Sequence, residues 1–434
     1  MSHLCMLGDV IAMQFMYQLF PEWHQDLRTP DTDGITPMFL ASQENQVEAM
    51  QWLFDHGAQE DVRTPMDDGT TPMCIASREN NVEAMQWLYA HGAQNDGDVR
   101  TPNNNGVTPM WIASYKNNVQ ALQWLFDHGA QMDVRIPNNN GSTPMWIASQ
   151  EKNMEALQWF FDHGAQEDVR TSDNDGTTPM CIASQENNME AMQWLFAHGA
   201  QEDVRTPNNN GVTPMYSASR KNNVEAMQWL FDHGAKEDVR TPMDAGATPM
   251  WIASYNNNVE AMQWLYAHGA QNDVRTQNDG ATPMCVASQQ NNMEAMQWLF
   301  AHGADVRTPK NDGTTPMWIA SHNNNVEAMQ WLFDHGAQED VRTPNNNGVT
   351  PMYSASRKNN VEAMQWLYAH GADVRIPNNN GSTPMCIASQ ENNMEAMQWL
   401  FAHGAQEDVR TPNNNGVTPM YSASRKNNVE AMQW

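Results

Sequence analysis

Residues 67–92 read DDGTTPMCIASRENNVEAMQWLYAHG, and close copies of this stretch recur along the chain. Its Thr-Pro-Met triplet occurs twelve times in the 434 residues, and a Trp stands sixteen positions after the Thr of each triplet. Neighbouring triplets are separated by 33 to 37 residues. Unrelated globular domains do not keep such a period, whereas stacked copies of one supersecondary unit do. The sequence therefore predicts a solenoid.

Each copy encodes two short helices. Thr71-Pro72 predicts a helix start, because Thr can cap free backbone N–H groups and Pro is tolerated at the first helical position. Asn80-Asn81 ends this helix, since Asn is the commonest non-glycine residue in the left-handed region. Apolar residues at helical spacing from Val82 to Tyr89 predict a second helix, which Gly92 ends. The unit is a turn, a helix, a tight turn, a second helix and a loop.

These residues resemble the ankyrin repeat, whose pattern runs Asp-x-x-Gly-x-Thr-Pro-Leu-His-x-Ala and later Gly-Ala-Asp. Residues 68–76 and His91-Gly92-Ala93 follow this pattern, with Met in place of Leu and Asn-Asn in place of the family's Gly-His turn. The resemblance covers residues 31–434 and implies an all-α repeat solenoid, in which helix-turn-helix units are joined by β-turn or hairpin loops. It predicts about twelve repeats, the last incomplete. Most copies carry two extra residues after Gly-Ala, which we expect to lie in a loop.

The two ends of the chain differ from the other copies. Residues 1–30 contain a degenerate second helix around Val10–Phe15 and an outgoing loop at Leu27–Pro30. We interpret them as an N-terminal capping repeat, whose outer face is expected to be polar. The sequence stops at Trp434, midway through a predicted second helix. A further domain beyond this residue therefore stays open.

The composition excludes several function classes. Lys and Arg number 23 against 51 Asp and Glu, and the net charge of −28 argues against binding nucleic acid or anionic lipid. No apolar run approaches the length of a membrane span, and no signal peptide is recognisable. The five cysteines form no Cys-x-x-Cys pair, and those three repeats apart lie too far apart for a disulfide. A reducing compartment is expected, the cytoplasm or alternatively the nucleus.

No residue pattern in the chain indicates catalysis. It contains neither a phosphate-binding glycine loop nor a serine nucleophile motif, and eleven repeats each offer a single His directly before the closing Gly. Such a His suits a helix cap, because tetrahedral zinc needs four converging ligands. A catalytic site is expected to break repeat symmetry, and we find no such break. We therefore predict no enzyme, no cofactor and no metal.

Two aromatic positions repeat along the chain. The Trp of each Met-Gln-Trp run is predicted to form a core spine rather than a stacking platform for bases. At the position of the family's His, which bonds adjacent repeats, the chain places apolar or aromatic residues, and we expect burial to replace the lost bonds. This position holds Phe39, Cys74, Trp111, Trp146, Cys181, Tyr216, Trp251, Cys285, Trp318, Tyr353, Cys386 and Tyr421.

Variation concentrates at the end of the first helix, seven residues after each Thr. In ankyrin-like arrays the first helices and turn tips line the concave face, so variation there indicates either solvent-exposed drift or partner recognition. The candidate partner-binding residues are Trp111, Tyr115, Trp146, Gln150, Tyr216, Arg220, Trp251, Tyr255, Trp318, His322, Tyr353 and Arg357. The resemblance implies a non-catalytic protein-interaction scaffold, which we expect to be monomeric. The alternative is the recognition part of a larger enzyme or adaptor whose catalytic domain lies beyond residue 434.

Acidic pairs recur in the loop after the second helix. Examples are Glu60-Asp61 and Glu202-Asp203, each followed by an Arg that partly neutralises the pair. Stacking would align the pairs into an acidic ridge. The ridge either keeps the array in solution or attracts a basic segment of a partner protein.

Overall fold

The computed structural model describes residues 2–20, 27–92, 99–275, 278 and 280–433. In these residues the chain is helical, and its single β pairing is an isolated bridge between Asn278 and Ala281. The chain divides into two compact units, residues 1–214 and 215–434, and each is described by itself. Serial helix pairs build both units, so the predicted all-α repeat solenoid is confirmed.

Repeat one of the first unit contains the Thr at position 36, and the repeats are numbered from it. In that unit the first helices are Pro37–Gln43, Pro72–Arg78, Pro109–Tyr115, Pro144–Glu151 and Pro179–Gln185. The second helices are Val47–Asp55, Val82–Ala90, Val119–Asp127, Met154–Asp162 and Met189–Ala197.

The same alternation continues in the second unit. Its first helices are Pro214–Arg220, which starts at the unit boundary, then Pro249–Tyr255, Pro283–Gln290, Pro316–His322, Pro351–Lys358, Pro384–Gln390 and Pro419–Lys426. Its second helices are Val224–Asp232, Val259–Ala267, Met293–Ala301, Val326–Asp334, Val361–Ala369, Met394–Ala402 and Val429–Gln433.

Capping residues fix the ends of the helices. In repeat three the Thr108 hydroxyl accepts a hydrogen bond from the Trp111 backbone N–H at 3.2 Å, as expected for a helix N-cap. The turn to the second helix passes through Asn117 at φ 59°. Twelve non-glycine residues have positive φ in the described chain, and eleven of them are this Asn while the twelfth is Lys152.

The Asn-Asn turn also joins neighbouring repeats. Asn117 Oδ1 accepts from the backbone N–H of Ala156 in the next repeat at 3.0 Å. Asn118 Nδ2 donates to the carbonyls of Ser77 and Arg78 at the end of the preceding first helix, at 3.0 and 2.7 Å. Carbonyls in the last turn of a helix have no i+4 donor within the helix, so the second Asn caps a neighbouring helix. Asn-Asn thus replaces Gly-His with residues that shape one turn and bind two neighbouring repeats.

The turn tips stack through another asparagine. Asn139 donates from Nδ2 to the Asn104 carbonyl and from its backbone N–H to the Asn105 carbonyl, both at 2.9 Å. Gly106 lies under this contact with φ 75°, and a Cβ on it would come within 2.8 Å of the Asn139 backbone N. Glycine is therefore required here by both conformation and space.

The two extra residues after Gly-Ala lie outside the long helices, as expected, but they are not irregular. They lie in or directly before a short 3-10 helix in the described repeats that carry the insertion, whereas the two 33-residue repeats, numbers eight and ten, lack this helix. The 3-10 helices are Glu60–Val62, Gln131–Arg135, Gln166–Val169, Glu202–Val204, Glu237–Val239, Gln271–Arg275, Gln338–Val341 and Glu407–Arg410.

The second-helix tryptophans lie at the edge of the core. Trp87 stacks on His91 with ring centroids 4.1 Å apart and meets Phe54 of the preceding repeat edge-on at 5.7 Å. Among the described copies five of these tryptophans are buried and six are half-buried, while methionine and leucine such as Met85 and Leu88 are fully buried between the helices. The core spine is therefore mostly methionine and leucine, with tryptophan along its margin.

The N-terminal segment forms a helix pair, Ser2–Leu7 and Val10–Leu19, joined at Gly8 with φ 66°. It packs against the first repeat, and its assignment as a diverged capping repeat stays a prediction. The expected polar outer face is wrong, because Ile11 and Phe15 are 81% and 60% exposed. Part of the predicted boundary region, residues 21–26, lies outside the described residues.

Candidate functional site

The tryptophans at the family-His position make the bond between repeats that sequence reasoning considered lost. Trp111 Nε1 donates to the Ser142 carbonyl of the next repeat at 2.8 Å, and Trp146 Nε1 donates to the Thr177 carbonyl at the same distance. In the second unit Trp318 and Trp251 donate likewise, to Val349 at 2.8 Å and to Ala281 at 3.2 Å. The expectation that burial alone replaces these bonds is therefore wrong for tryptophan, because the indole N–H reaches the next loop.

Two of the three tyrosines at this position, Tyr216 and Tyr353, are buried, whereas Tyr421 in the last repeat is 56% exposed, so the expected burial fails there. Tyr353 donates its hydroxyl to Ser382 Oγ at 3.4 Å, and burial raises its pKa above the usual range. Burial also raises the pKa of Tyr216 to about 12, with Arg220 acting in the opposite direction. Both phenols stay neutral at physiological pH, so their role in the repeat is packing and hydrogen bonding.

A second row of side chains lies one helical turn further on and is more accessible. Tyr115 stacks on Trp111 at 6.2 Å, Tyr255 on Trp251 at 5.9 Å and His322 on Trp318 at 5.3 Å, all nearly parallel. This is the i, i+4 spacing that places side chains on one helix face. Of the candidate residues at this position, Tyr115, Gln150 and His322 are half-buried, while Arg220, Tyr255 and Arg357 are exposed.

His322 is held in place by a neighbouring first helix. Its Nδ1 lies 2.8 Å from Ser354 Oγ. Burial lowers its pKa, and the positive charges of Lys358 and Arg357 lower it further. A neutral imidazole is the form expected at physiological pH.

The loop-side acids do not form a uniform ridge. Asp61 is 2% exposed and accepts from Arg28 Nε of the preceding repeat at 3.2 Å, whereas Glu60 is 79% exposed. Arg170 binds Asp203 and Glu202 in the same way, and Arg307 binds Asp340 and Glu339. Burial raises the pKa of Asp61, and the guanidinium of Arg28 partly opposes that shift. Within each unit the exposed acids of the predicted ridge are therefore the glutamates, while the aspartates hold neighbouring repeats together.

The repeated histidines cap the second helices, as predicted. His56 Nδ1 donates to the Trp52 carbonyl at 2.7 Å, and the equivalent bond recurs in the other described copies, for example His91 to Trp87. In the described part of the chain no group of three or more His, Cys, Asp or Glu could hold a metal ion. The five cysteines are free and buried.

The chain matches a known protein family along most of its length. A family model described as ankyrin repeats in three copies matches residues 11–98, 94–171, 165–241, 235–310, 304–378 and 370–434. The chain belongs to the ankyrin repeat family. None of the curated proteins compared with it matches this ankyrin chain. Among its described helices, none is both long and apolar enough to cross a membrane.

The ankyrin symmetry is broken in repeats three to five, contrary to the expectation of uniform repeats. Met132 stands where six other repeats carry Glu, and Ile136 stands where most carry Thr; they are 70% and 40% exposed. Trp111 and Trp146 are the only adjacent pair of tryptophans at the family-His position. Trp111 and Trp146 are among the predicted candidates, whereas Met132 and Ile136 are not, because a change confined to one or two repeats gives no periodic signal.

Two cavities flank one turn tip in this region. The first, of about 470 Å³, is lined by Trp111, Trp146, Gln150, Asn138, Asp173 and Asp175, among others. The second, of about 530 Å³, is lined by Met132, Ile136 and Pro137 together with Thr143 and Thr171. The turn of residues 138–142 separates them. Three of the predicted candidate residues, Trp111, Trp146 and Gln150, thus line one cavity.

Proposed function

We propose that this ankyrin array is a non-catalytic scaffold that binds a partner protein along its first helices and turn tips, the face that is concave in ankyrin arrays. Ankyrin repeats are generally protein-interaction modules, and the family match spans the chain. The proposal includes a monomeric chain in the cytoplasm or nucleus that binds neither nucleic acid nor membrane.

One observation carries the choice of face. The position seven residues after the capping Thr varies between repeats and is accessible, while most of the rest of each first helix is constant and buried. Tyr115, Tyr255 and Arg357 therefore project different chemistry from the same framework. Loops and helix ends on a rigid scaffold are where recognition residues concentrate.

The partner segment is proposed to be basic. Glu167, Glu202 and Glu339 are each about 80% exposed, and the chain carries a net charge of −28. A segment rich in Lys or Arg would be attracted to such a surface. Each of these glutamates also contacts an Arg of the preceding repeat, which reduces but does not cancel the field.

Proximity labelling in cells tests the proposed face. The test variant is Y115Q/R220Q/Y255Q/R357Q, in which Gln replaces residues at a position where Gln43, Gln185 and Gln390 already occur. It should fold like the parent chain and lose the partner. A control with equally exposed changes on second helices, F300Y/F401Y, should keep it, since Tyr occupies this position in other repeats.

The outcomes separate face from function. Loss of the same proteins in the fourfold variant but not in the control supports the face. Equal labelling by all three chains would show that the partner binds elsewhere. If no protein is reproducibly labelled above an unrelated array while a purified chain shows enzymatic turnover, the scaffold proposal is wrong.

A further inference from the structure

Two cavities lie beside one turn in repeats three to five. We propose that the cavity lined by Trp111, Trp146, Asp173 and Asp175 binds the guanidinium group of an arginine in the partner protein. The adjoining patch of Met132 and Ile136 would receive a large apolar side chain from the same segment. This inference rests on the proposed function and names the chemistry of the partner.

The aromatic wall of the pocket is held rigidly. Trp111 and Trp146 are each 8% exposed, and their indole N–H groups are bound to the Ser142 and Thr177 carbonyls. What each ring offers the cavity is therefore carbon surface rather than a donor. A cation near an indole face is attracted to the π system, and a rigid ring loses little entropy on binding.

The polar wall accepts hydrogen bonds and carries negative charge. Asp173 Oδ1 accepts hydrogen bonds from the backbone N–H groups of Asp175 and Thr177, at 3.0 and 2.8 Å. The Asp175 carboxylate is exposed and has no hydrogen-bond or ion-pair partner among the described residues. No basic residue is among those that line the cavity. A cationic guest is therefore favoured over a neutral or anionic one.

Guanidinium suits this pocket better than ammonium. Its plane can lie against an indole while its N–H groups point to a carboxylate and to amide oxygens such as that of Asn140. An ammonium is a compact, strongly hydrated charge and would lose more water on entering. Arginine also forms paired hydrogen bonds with carboxylates, for which Asp175 is available.

The apolar patch across the turn specifies the rest of the segment. At the position of Met132, Glu60 and Glu167 are directed to solvent and bind an Arg of the preceding repeat. Met132 offers no charge and is 70% exposed beside a cavity of about 530 Å³. Because both cavities border the turn at residues 138–142, a segment crossing this turn would contact both.

Peptide titration of the full chain, labelled with ¹⁵N in its tryptophan indoles, tests the pocket. The probe is the capped peptide Gly-Leu-Gly-Arg-Gly, compared with versions that carry Lys or citrulline for Arg, or Ala for Leu. The indole signals of residues 111 and 146, assigned from W111Y and W146Y, should shift and saturate with the Arg peptide. The Lys peptide should bind about threefold more weakly, and the neutral citrulline peptide should not saturate.

Matched variants come from the chain's own repeats. D175N copies Asn210 and should weaken the Arg peptide about fivefold, while D312N in the second unit should leave it unchanged. M132E copies Glu167 and should abolish the advantage of Leu over Ala in the peptide. Thermal unfolding of each variant verifies that it folds.

Three results would overturn the pocket: no shift of either indole, equal binding of the Arg and citrulline peptides, or equal binding by D175N and the parent chain. These results leave the scaffold itself standing if the fourfold variant still loses its partner in cells. If the fourfold variant loses its labelled partners in cells while D175N keeps all of them, the arginine pocket is rejected and the scaffold proposal is not.

Discussion

The indole Nε1 of Trp87 donates a hydrogen bond to Gln51 Oε1 of the preceding repeat at 3.0 Å. Gln51 in turn donates from Nε2 to Asp55 Oδ1 at 3.0 Å. The Asp at the helix end therefore orients the Gln whose oxygen accepts the indole hydrogen bond. The same chain of bonds recurs where the preceding second helix ends in Asp, at Trp159, Trp194, Trp264 and Trp366. Where that helix ends in Ala, the described residues give no such bond to Trp124, Trp298, Trp331 or Trp399.

This relationship predicts that A90D stabilises the first unit. Trp124 Nε1 is buried without a partner, and Gln86 of the preceding repeat lacks an Asp to orient it. Supplying a carboxylate at the exposed position 90 should satisfy the indole and gain about 1 kcal/mol, reduced by a few tenths for a negative charge at a helix C-terminus. Hydrogen exchange of the amides in Val119–Asp127 measures the gain locally.

The control is the same change in a Q86A background, where no gain is expected because the Gln is absent. An equal gain in both backgrounds would show that the A90D substitution acts through charge or helix propensity and not through the Trp124 indole.

Lys152 lies at the left-handed turn, where the other described repeats have Asn. It has φ 63° where eleven repeats have Asn. In repeat three the Asn117 oxygen accepts from a backbone N–H of the next repeat, and Lys152 has no side-chain oxygen that could accept the equivalent N–H, that of Ala191. Asn188 accepts this N–H instead at 3.2 Å and donates to Ser149 alone. K152N should therefore raise stability by about 1 kcal/mol, through the left-handed preference of Asn and one added bond.

The measurement is the midpoint of thermal unfolding, with K152A as the comparison. Ala, like Lys, lacks both the side-chain oxygen and the tolerance for positive φ, so K152A should leave the midpoint close to that of the parent chain. A midpoint for K152N at or below that of the parent chain would contradict the role assigned to the turn asparagine.

The sequence predicted the architecture because its period and capping residues are local signals. Thr at the N-cap, Asn at the left-handed turn and Gly at the helix end each act within a few residues, and each takes the predicted conformation. The roles of Trp111 and Asp61 could not be read in this way. Their partners, the Ser142 carbonyl and Arg28, lie about one repeat away, and only stacking determines which atoms meet.

The acidic pairs show the same limit more sharply. Glu60 and Asp61 are adjacent and chemically similar, yet one is exposed and the other buried. The difference arises because Glu60 and Asp61 lie in a 3-10 turn that directs neighbouring side chains to opposite surroundings. In the candidate site, the exposed Tyr255 and Arg357 were identified from variation, whereas Met132, Asp173 and Asp175 needed the cavities to be noticed.

The buried aspartates predict how stability depends on pH. Burial raises the pKa of Asp133, and Arg100 Nε, 2.7 Å from its Oδ1, opposes the shift. The pKa of Asp168, Asp340 and Asp408 is raised for the same reason. When the folded pKa exceeds the unfolded value, the native state binds more protons between the two, so the free energy of unfolding falls as pH rises through that interval. The chain should unfold at a higher temperature at about pH 5 than at about pH 7.5.

Removing one arginine should enlarge this dependence. R100A leaves Asp133 buried without its cation, which should cost about 2 kcal/mol at neutral pH, a value reduced because Arg100 is itself about one-third exposed. The cost should shrink as the pH falls, because Asp133 can then take up a proton. Urea unfolding of R100A and R100A/D133N at both pH values measures this. A cost for R100A that stays constant with pH, or that persists in the double variant, would contradict the pairing.

The last prediction concerns how a partner protein reaches the array. Glu60, Glu202 and Glu407 are about four-fifths exposed, whereas the neighbouring aspartates are buried and neutralised, so the glutamates supply the accessible field. Exposed charges act over about 8 Å at physiological salt, which affects encounter more than the bound state. The association rate of a captured basic partner should fall about tenfold between about 30 and about 500 mM salt, with a smaller change in dissociation. The variant E167Q/E202Q/E339Q should show a slower rate at low salt and a flatter dependence, while keeping each aspartate–arginine pair. An association rate that ignores both salt and these substitutions would leave solubility as the function of the glutamates.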